Sequence, residues 1–156
     1  MGSIGDFVIQ VCNASFFGWE WLRRCLGRPP VERISTSDLK AMLAVDARNL
    51  ILIDVRSRAE QQVSIIPGAI PQHQVAADPS CLIDKNVVVY CTIGGRSYLV
   101  ARRLVVAGVH AKNYRDGILG WRRAELPLET MNGAATTAVH TYWRIFHVPG
   151  EKGAEN

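Results

Sequence analysis

A chain of 156 residues, 48% hydrophobic and 21% charged, is long enough for one domain with extensions and can bury a full core. Its net charge of +4 suits anionic small molecules but is too mild to argue for nucleic acid, and the basic pairs Arg23-Arg24, Arg102-Arg103 and Arg122-Arg123 are scattered, not gathered into a run. No apolar stretch is long enough to span a bilayer, the first residues carry no basic leader, and Asp6 stands where a myristoylation signal needs Ser or Thr, so a cytoplasmic protein is expected.

Residues 7–26 can be written as a helix with Phe7, Val11, Ala14, Gly18, Trp21 and Cys25 on one stripe. Arg28-Pro29-Pro30 then marks a boundary, separating an N-terminal extension (1–30) from a core domain (31–130). Inside the domain, Ser35-Thr36-Ser37-Asp38 supplies N-cap chemistry for a helix whose apolar face carries Leu39, Met42 and Leu43. Leu50 to Ile53 is a buried strand ending at Asp54, and Ser57-Arg58-Ala59-Glu60 is a capping box that starts a helix near Arg58. Pro67-Gly68 breaks the chain before the short apolar piece Ala69-Ile70.

The run Val87-Val88-Val89-Tyr90 predicts a second buried strand that ends at Cys91. A helix follows the glycine-rich stretch, with Leu99, Val100, Leu104 and Val105 on its apolar face and Gly108 just past its end. Lys112 to Tyr114 is a short strand, and Asp116-Gly117 turns into a brief helix carrying Ile118, Leu119 and Trp121. Strands that are apolar throughout and alternate with helices predict an α/β fold: a central parallel sheet of about five strands with helices on both faces. Added helical segments are expected at both termini, the second in a C-terminal extension (131–156) where Val139, Tyr142, Trp143 and Phe146 recur at helical spacing. These flanks pack on the domain in the simplest reading; homodimerisation and attachment to a membrane surface are the alternatives.

The most informative segment is Cys91-Thr92-Ile93-Gly94-Gly95-Arg96-Ser97. A buried strand delivers the cysteine into a tight glycine loop, and the next helix opens with an arginine. Amides in such a loop point inward and the helix start adds partial positive charge, so both favour the thiolate, which is the nucleophile. Cys91 is therefore the candidate nucleophile, Arg96 the candidate anion or loop contact, and Thr92, Ile93, Gly94, Gly95 and Ser97 the candidate amide ring. Asp54 and Arg56, just past a strand end, are expected to support the site by holding backbone. Trp121 is expected to anchor the core, and Tyr98 to approach the pocket or lie on the helix surface. Cys12, Cys25 and Cys81 show no CxxC or metal-ligand spacing, so neither disulfides nor a metal are expected, though any of them could act as a resolving thiol.

Together these segments resemble the single-domain rhodaneses, a sulfurtransferase family. The likeness is carried by Leu52-Ile53-Asp54-Val55-Arg56 with Glu60, by Ile66-Pro67-Gly68-Ala69-Ile70, by the strand and loop from Val87 to Ser97, and by Asp116 to Trp121 with Leu126-Pro127-Leu128. The resemblance implies that Cys91 accepts a sulfane sulfur from thiosulfate or a persulfide, and passes it to cyanide or a thiol, a protein thiol included, without any cofactor. The chain departs from the family at Ile65, where a histidine is usual, and at Asp116, where the usual pair is two glycines. A phosphatase would need five residues between cysteine and arginine, whereas four separate Cys91 from Arg96. A non-catalytic binding module acting through the terminal extensions is the other alternative.

Overall fold

In a computed structural model of the chain, the structure describes residues 29–46, 48–75 and 79–140, and ahead of them positions 10, 11, 15, 18, 19, 21, 22 and 25–27. The elements in order are β1 (Glu32–Ile34), α1 (Thr36–Asp46), β2 (Leu50–Asp54), α2 (Arg58–Val63), β3 (Ile70–Pro71), β4 (Asn86–Tyr90), α3 (Gly95–Val106), β5 (Ala111–Tyr114) and α4 (Gly117–Arg123), then β6 (Leu128–Glu129) and β7 (Ala135–Thr136). Strands β1 to β5 form one sheet in the order β1-β5-β4-β2-β3, and each pairing is parallel. The expected fold class is thus the observed one.

Alternation along β4 divides the core between the two faces. Val88 and Tyr90 join Leu52, Leu39 of α1, and Ile118, Leu119 and Trp121 of α4 in one cluster. Val87 and Val89 point the other way, towards Ile53 of β2 and Tyr98 and Ala101 of α3. A strand buried on both sides must be apolar at every position, which is why Val87 to Val89 shows no polar alternation. Strand β4 lies at the centre of the sheet, and the chain leaves β2 outward through β3 but leaves β4 in the opposite direction through β5. The crevice between β2 and β4 is the switch point where open sheets of this type bind ligands, beyond the carboxyl ends of the strands. Cys91 follows β4 at that point.

Local sequence signals explain the boundaries. Ser57 and Glu60 make both bonds of the capping box at the start of α2. Ser35 and Asp38 bond each other's side chains and amides ahead of α1. Gly108, at φ 87°, follows the C-cap Ala107 of α3.

Three features differ from expectation or extend it. The buried side of α3 carries Tyr98 and Ala101, whereas Leu99 is 47% exposed; the Tyr98 ring, not Leu99, takes the place against the sheet. Tyr98 accordingly lies in the core and not on the helix surface. The antiparallel pair β6–β7 has no signal in the sequence reading; it extends the domain's packing beyond residue 130, bridges Ile65 through Glu129, and brings Val139 into the core.

At the N-terminus, the described positions from 10 to 25 are helical and exposed, Trp21 by 66%. Phe7, Cys12 and Ala14 lie outside the described residues, as do Tyr142, Trp143 and Phe146. Among the described residues no helix is long and apolar enough to cross a membrane.

Candidate active site

The loop from Cys91 to Gly94 is shaped by what holds its carbonyls. The Ile118 amide donates to the Cys91 carbonyl at 2.9 Å, and the Leu119 amide donates to that of Thr92 at 3.3 Å. The Gly94 carbonyl accepts from Asn113 Nδ2 at 3.1 Å and from the Tyr98 amide at 3.3 Å. No peptide here is cis, so each N–H lies opposite the carbonyl it shares a plane with. Tying these three carbonyls to α4, β5 and α3 turns the amides of Thr92, Ile93 and Gly95 the other way. Among the described residues these amides meet no backbone acceptor, and donors placed so close to the start of a 12-residue helix are suited to cradling an anion.

Two glycines are required by this arrangement. Gly94 has φ 83°, and a Cβ there would sit 2.3 Å from the Arg115 carbonyl oxygen. Gly117 has φ 60°, and a Cβ there would meet the Thr92 and Cys91 carbonyl oxygens at 2.4 and 2.6 Å. The close approach of α4 to the loop therefore depends on the missing side chain.

Cys91 is 1% exposed, and Ile93 and Gly95 of the same loop are half-buried. Ser97 places its hydroxyl 3.5 Å from the Cys91 Sγ, and donates to Asn113 Oδ1 at 2.7 Å. A cavity of about 480 Å³ lined by Arg58, Gln61, Gln62, His73 and residues 130–132 does not include the cysteine.

The Arg96 fork is engaged by a carboxylate. Its Nη1 and Nη2 donate to Glu60 Oε2 and Oε1 at 2.9 and 2.7 Å, and Nη2 also donates to the Thr92 hydroxyl at 2.8 Å. That hydroxyl in turn donates to Glu60 Oε1 at 2.9 Å. Glu60 itself is wholly buried and accepts from Ser57. Burial opposes its ionisation, but the bonds from Arg96, Ser57 and Thr92 outweigh burial and hold the carboxyl at about 2. Arg96 is held charged by Glu60 first, with a weaker attraction to Cys91 in the same direction.

Asp54 and Arg56 form a fully buried ion pair, with Arg56 Nη2 at 2.7 Å from Asp54 Oδ2. The Tyr90 hydroxyl donates to the same carboxylate oxygen at 2.7 Å, and Arg56 also reaches the Ser64 carbonyl. Burial disfavours the Arg56 charge, yet Asp54 more than compensates and holds it firmly protonated. Burial likewise pushes the Tyr90 phenol well above its ordinary value. These contacts tie the end of β2 to β4 and to the segment before β3.

The structure therefore gathers Cys91, Thr92, Ile93, Gly94, Gly95, Arg96 and Ser97 at the end of β4, with Asp54 and Arg56 at the end of the neighbouring strand β2. Trp121 is buried, its indole donating to the Pro127 carbonyl at 2.8 Å. Of the departures from the family pattern, Ile65 is buried and bridged through its backbone to Glu129, and Asp116 caps α1 by accepting from the Thr36 amide and hydroxyl at 2.8 and 3.0 Å. Sequence reasoning missed the site roles of Glu60 and Asn113. The capping box signals Glu60 as a helix cap only, and a lone asparagine in a strand of four residues carries no signal.

Comparison with known proteins places this fold and loop in a class. Residues 35–124 match the Rhodanese-like domain family. The chain belongs to that family. A sulfurtransferase of Allochromatium vinosum is 35% identical over 107 residues, covering 66% of this chain and 99% of that protein. A tRNA sulfurtransferase of Desulfurococcus amylolyticus is 45% identical over 73 residues, but these are 46% of this chain and 15% of that protein. Among solved structures, a thiosulfate sulfurtransferase of Pseudomonas aeruginosa superposes with a TM-score of 0.51 at 28% identity, covering 64% of this chain and 20% of that one. The BH2092 protein of Bacillus halodurans superposes with a TM-score of 0.60 over 85% of this chain and 93% of its own, at 18% identity, a likeness of fold. The relatives support sulfurtransferase activity at the level of reaction class.

Proposed function

We propose that the chain transfers sulfane sulfur through a persulfide on Cys91. The observation that carries this reading is the tethering of the Cys91, Thr92 and Gly94 carbonyls to α4, β5 and α3, which turns the amides of the same peptides away from those partners and supports their role as donors to the sulfur. With thiosulfate as donor, the Cys91 thiolate attacks the outer sulfur and the old sulfur–sulfur bond breaks. Its electron pair departs on sulfite, and negative charge is left on the new terminal sulfur. A thiolate or cyanide then attacks that sulfur, and the electron pair of the Cys91 persulfide bond returns to Cys91. Preorganised amides lower the cost of the terminal charge without rearranging during the reaction.

In this reading Arg96 positions the loop. Its charge is engaged by Glu60, so the loop's net field is mild, and a persulfide donor is as suitable as the more strongly charged thiosulfate. The acceptor is a small thiol, cyanide or a protein thiol. Intact-mass measurement after thiosulfate treatment tests the proposal: one added sulfur is expected on the wild type and none on Cys91→Ser. Sulfur uptake by the Cys91→Ser protein, or none by the wild type with either donor, would sink it. In the second case the exposed Trp19 and Trp21 of the N-terminal segment favour a non-catalytic binding module instead.

A further inference from the structure

We infer that Asn113 is a positioning residue: it locks the Gly94–Gly95 peptide with its N–H turned towards the Cys91 sulfur. The inference rests on the sulfurtransferase reading of that cysteine. Of the three tethered loop carbonyls, those of Cys91 and Thr92 are held, among the described residues, by backbone amides of α4 alone. The third, on Gly94, is held by a side chain, and Asn113 Nδ2 at 3.1 Å is the shorter of its two donors. That peptide is also the least restrained by side chains, since it joins two glycines and no Cβ resists rotation of its plane. Turned over, it would present a carbonyl oxygen to the terminal sulfur where a donor is needed.

Packing gives Asn113 no reason to be polar. It is wholly buried on β5, on the same side as Ala111 and opposite Val89, within the apolar layer covered by α3. An amide in such a place is costly unless bonded at both ends. Both ends are bonded: Nδ2 to the Gly94 carbonyl and Oδ1 to the Ser97 hydroxyl, which itself lies 3.5 Å from the sulfur. The two halves of one side chain thus fix a loop peptide and the hydroxyl beside the nucleophile.

The test follows the Gly95 amide resonance of 15N-labelled protein during sulfur loading, together with single-turnover sulfite release. Loading is expected to move the wild-type Gly95 signal. Asn113→Val should slow release about tenfold, the change that one buried hydrogen bond is worth, and should abolish the Gly95 response. Ser97→Ala keeps the Nδ2 bond, so the Gly95 response should survive there. An unmoved Gly95 signal in the loaded wild type, or an Asn113→Val protein that loads at the wild-type rate, overturns the inference. If Asn113→Val does not fold, Asn113→Ser and the wild-type spectrum decide in its place. If the wild type takes up no sulfur, the sulfurtransferase reading fails separately. Titration of Cys91→Ser protein with thiosulfate then still reads the lock: a Gly95 shift lost in the added Asn113→Ser variant supports it, and no shift overturns it.

Discussion

Arg96 and Glu60 meet in a two-point contact, Nη1 donating to Oε2 at 2.9 Å and Nη2 to Oε1 at 2.7 Å. The glutamate is fully buried while the arginine side chain is 43% exposed. The pair therefore works from the inside outward, with the rigid α2 cap fixing the arginine that borders the cysteine loop. Glu60→Gln keeps the shape and removes the charge, so it should loosen Arg96 and Thr92 together. Sulfur uptake is expected to fall at least tenfold in this variant, with a stability loss of about 1–3 kcal/mol. Wild-type loading kinetics in Glu60→Gln would show that the contact does not serve the loop.

The same carboxylate sets an acid limit. Its folded value of about 2 lies below the ordinary 4.5, so the stability it contributes is complete above the ordinary value and is lost as pH falls from about 4.5 towards about 2. Urea midpoints of wild type and Glu60→Gln should converge over this interval and run parallel from pH 6 to 8. A constant gap at every pH would contradict the assignment.

Burial makes a prediction about selectivity. Cys25 and Cys81 are exposed whereas Cys91 is buried. Iodoacetamide should therefore modify Cys25 and Cys81 of the native, donor-free protein well before Cys91. Thiosulfate should reverse this preference and load Cys91 alone, because the amide cradle, not accessibility, favours the terminal charge. Sulfur found by peptide mapping on Cys25 or Cys81 would count against the cradle.

The Asp54–Arg56 pair joins the ends of the two central strands through Tyr90. Asp54→Ala leaves the Arg56 charge buried without its partner, and a loss of about 3–5 kcal/mol is expected. Thermal melting measures it. A variant that melts within a degree or two of the wild type would mean that the pair is not holding the strand ends.

Gly117→Ala adds a Cβ that cannot coexist with the Thr92 and Cys91 carbonyls at 2.4 and 2.6 Å. Helix α4 must retreat, and the Ile118 and Leu119 bonds to the loop lengthen with it. Sulfur loading should drop by at least tenfold even in a variant that remains folded by circular dichroism. Unimpaired loading in folded Gly117→Ala protein would disprove the tethering role.

The sequence made the sheet legible because its strands are buried on both faces, so runs such as Leu50 to Ile53 and Val87 to Val89 stand out without alternation. The Cys91 loop was legible for a local reason, since strand, glycines, arginine and helix follow one another in the chain. What was not legible is whatever depends on distant partners. Strand β1 has three residues and exists because β5 pairs with it. The pair β6–β7 has two residues in each strand and leans on Ile65. Glu60 lies 36 positions from Arg96, and nothing in its own neighbourhood announces that contact. Leu99 misled for the opposite reason: its spacing suits the apolar stripe, but Tyr98 occupies the sheet-facing position.

The anchoring of the Cys91 and Thr92 carbonyls by Ile118 and Leu119 has a consequence for biosynthesis. Synthesis adds Cys91 before either anchor, so a released fragment ending within α3 would carry the cysteine in a loop that lacks both tethers. The shape of the loop is thereby deferred until α4 has been made, and premature termination yields a fragment in which α4 no longer fixes the direction of those first two peptides.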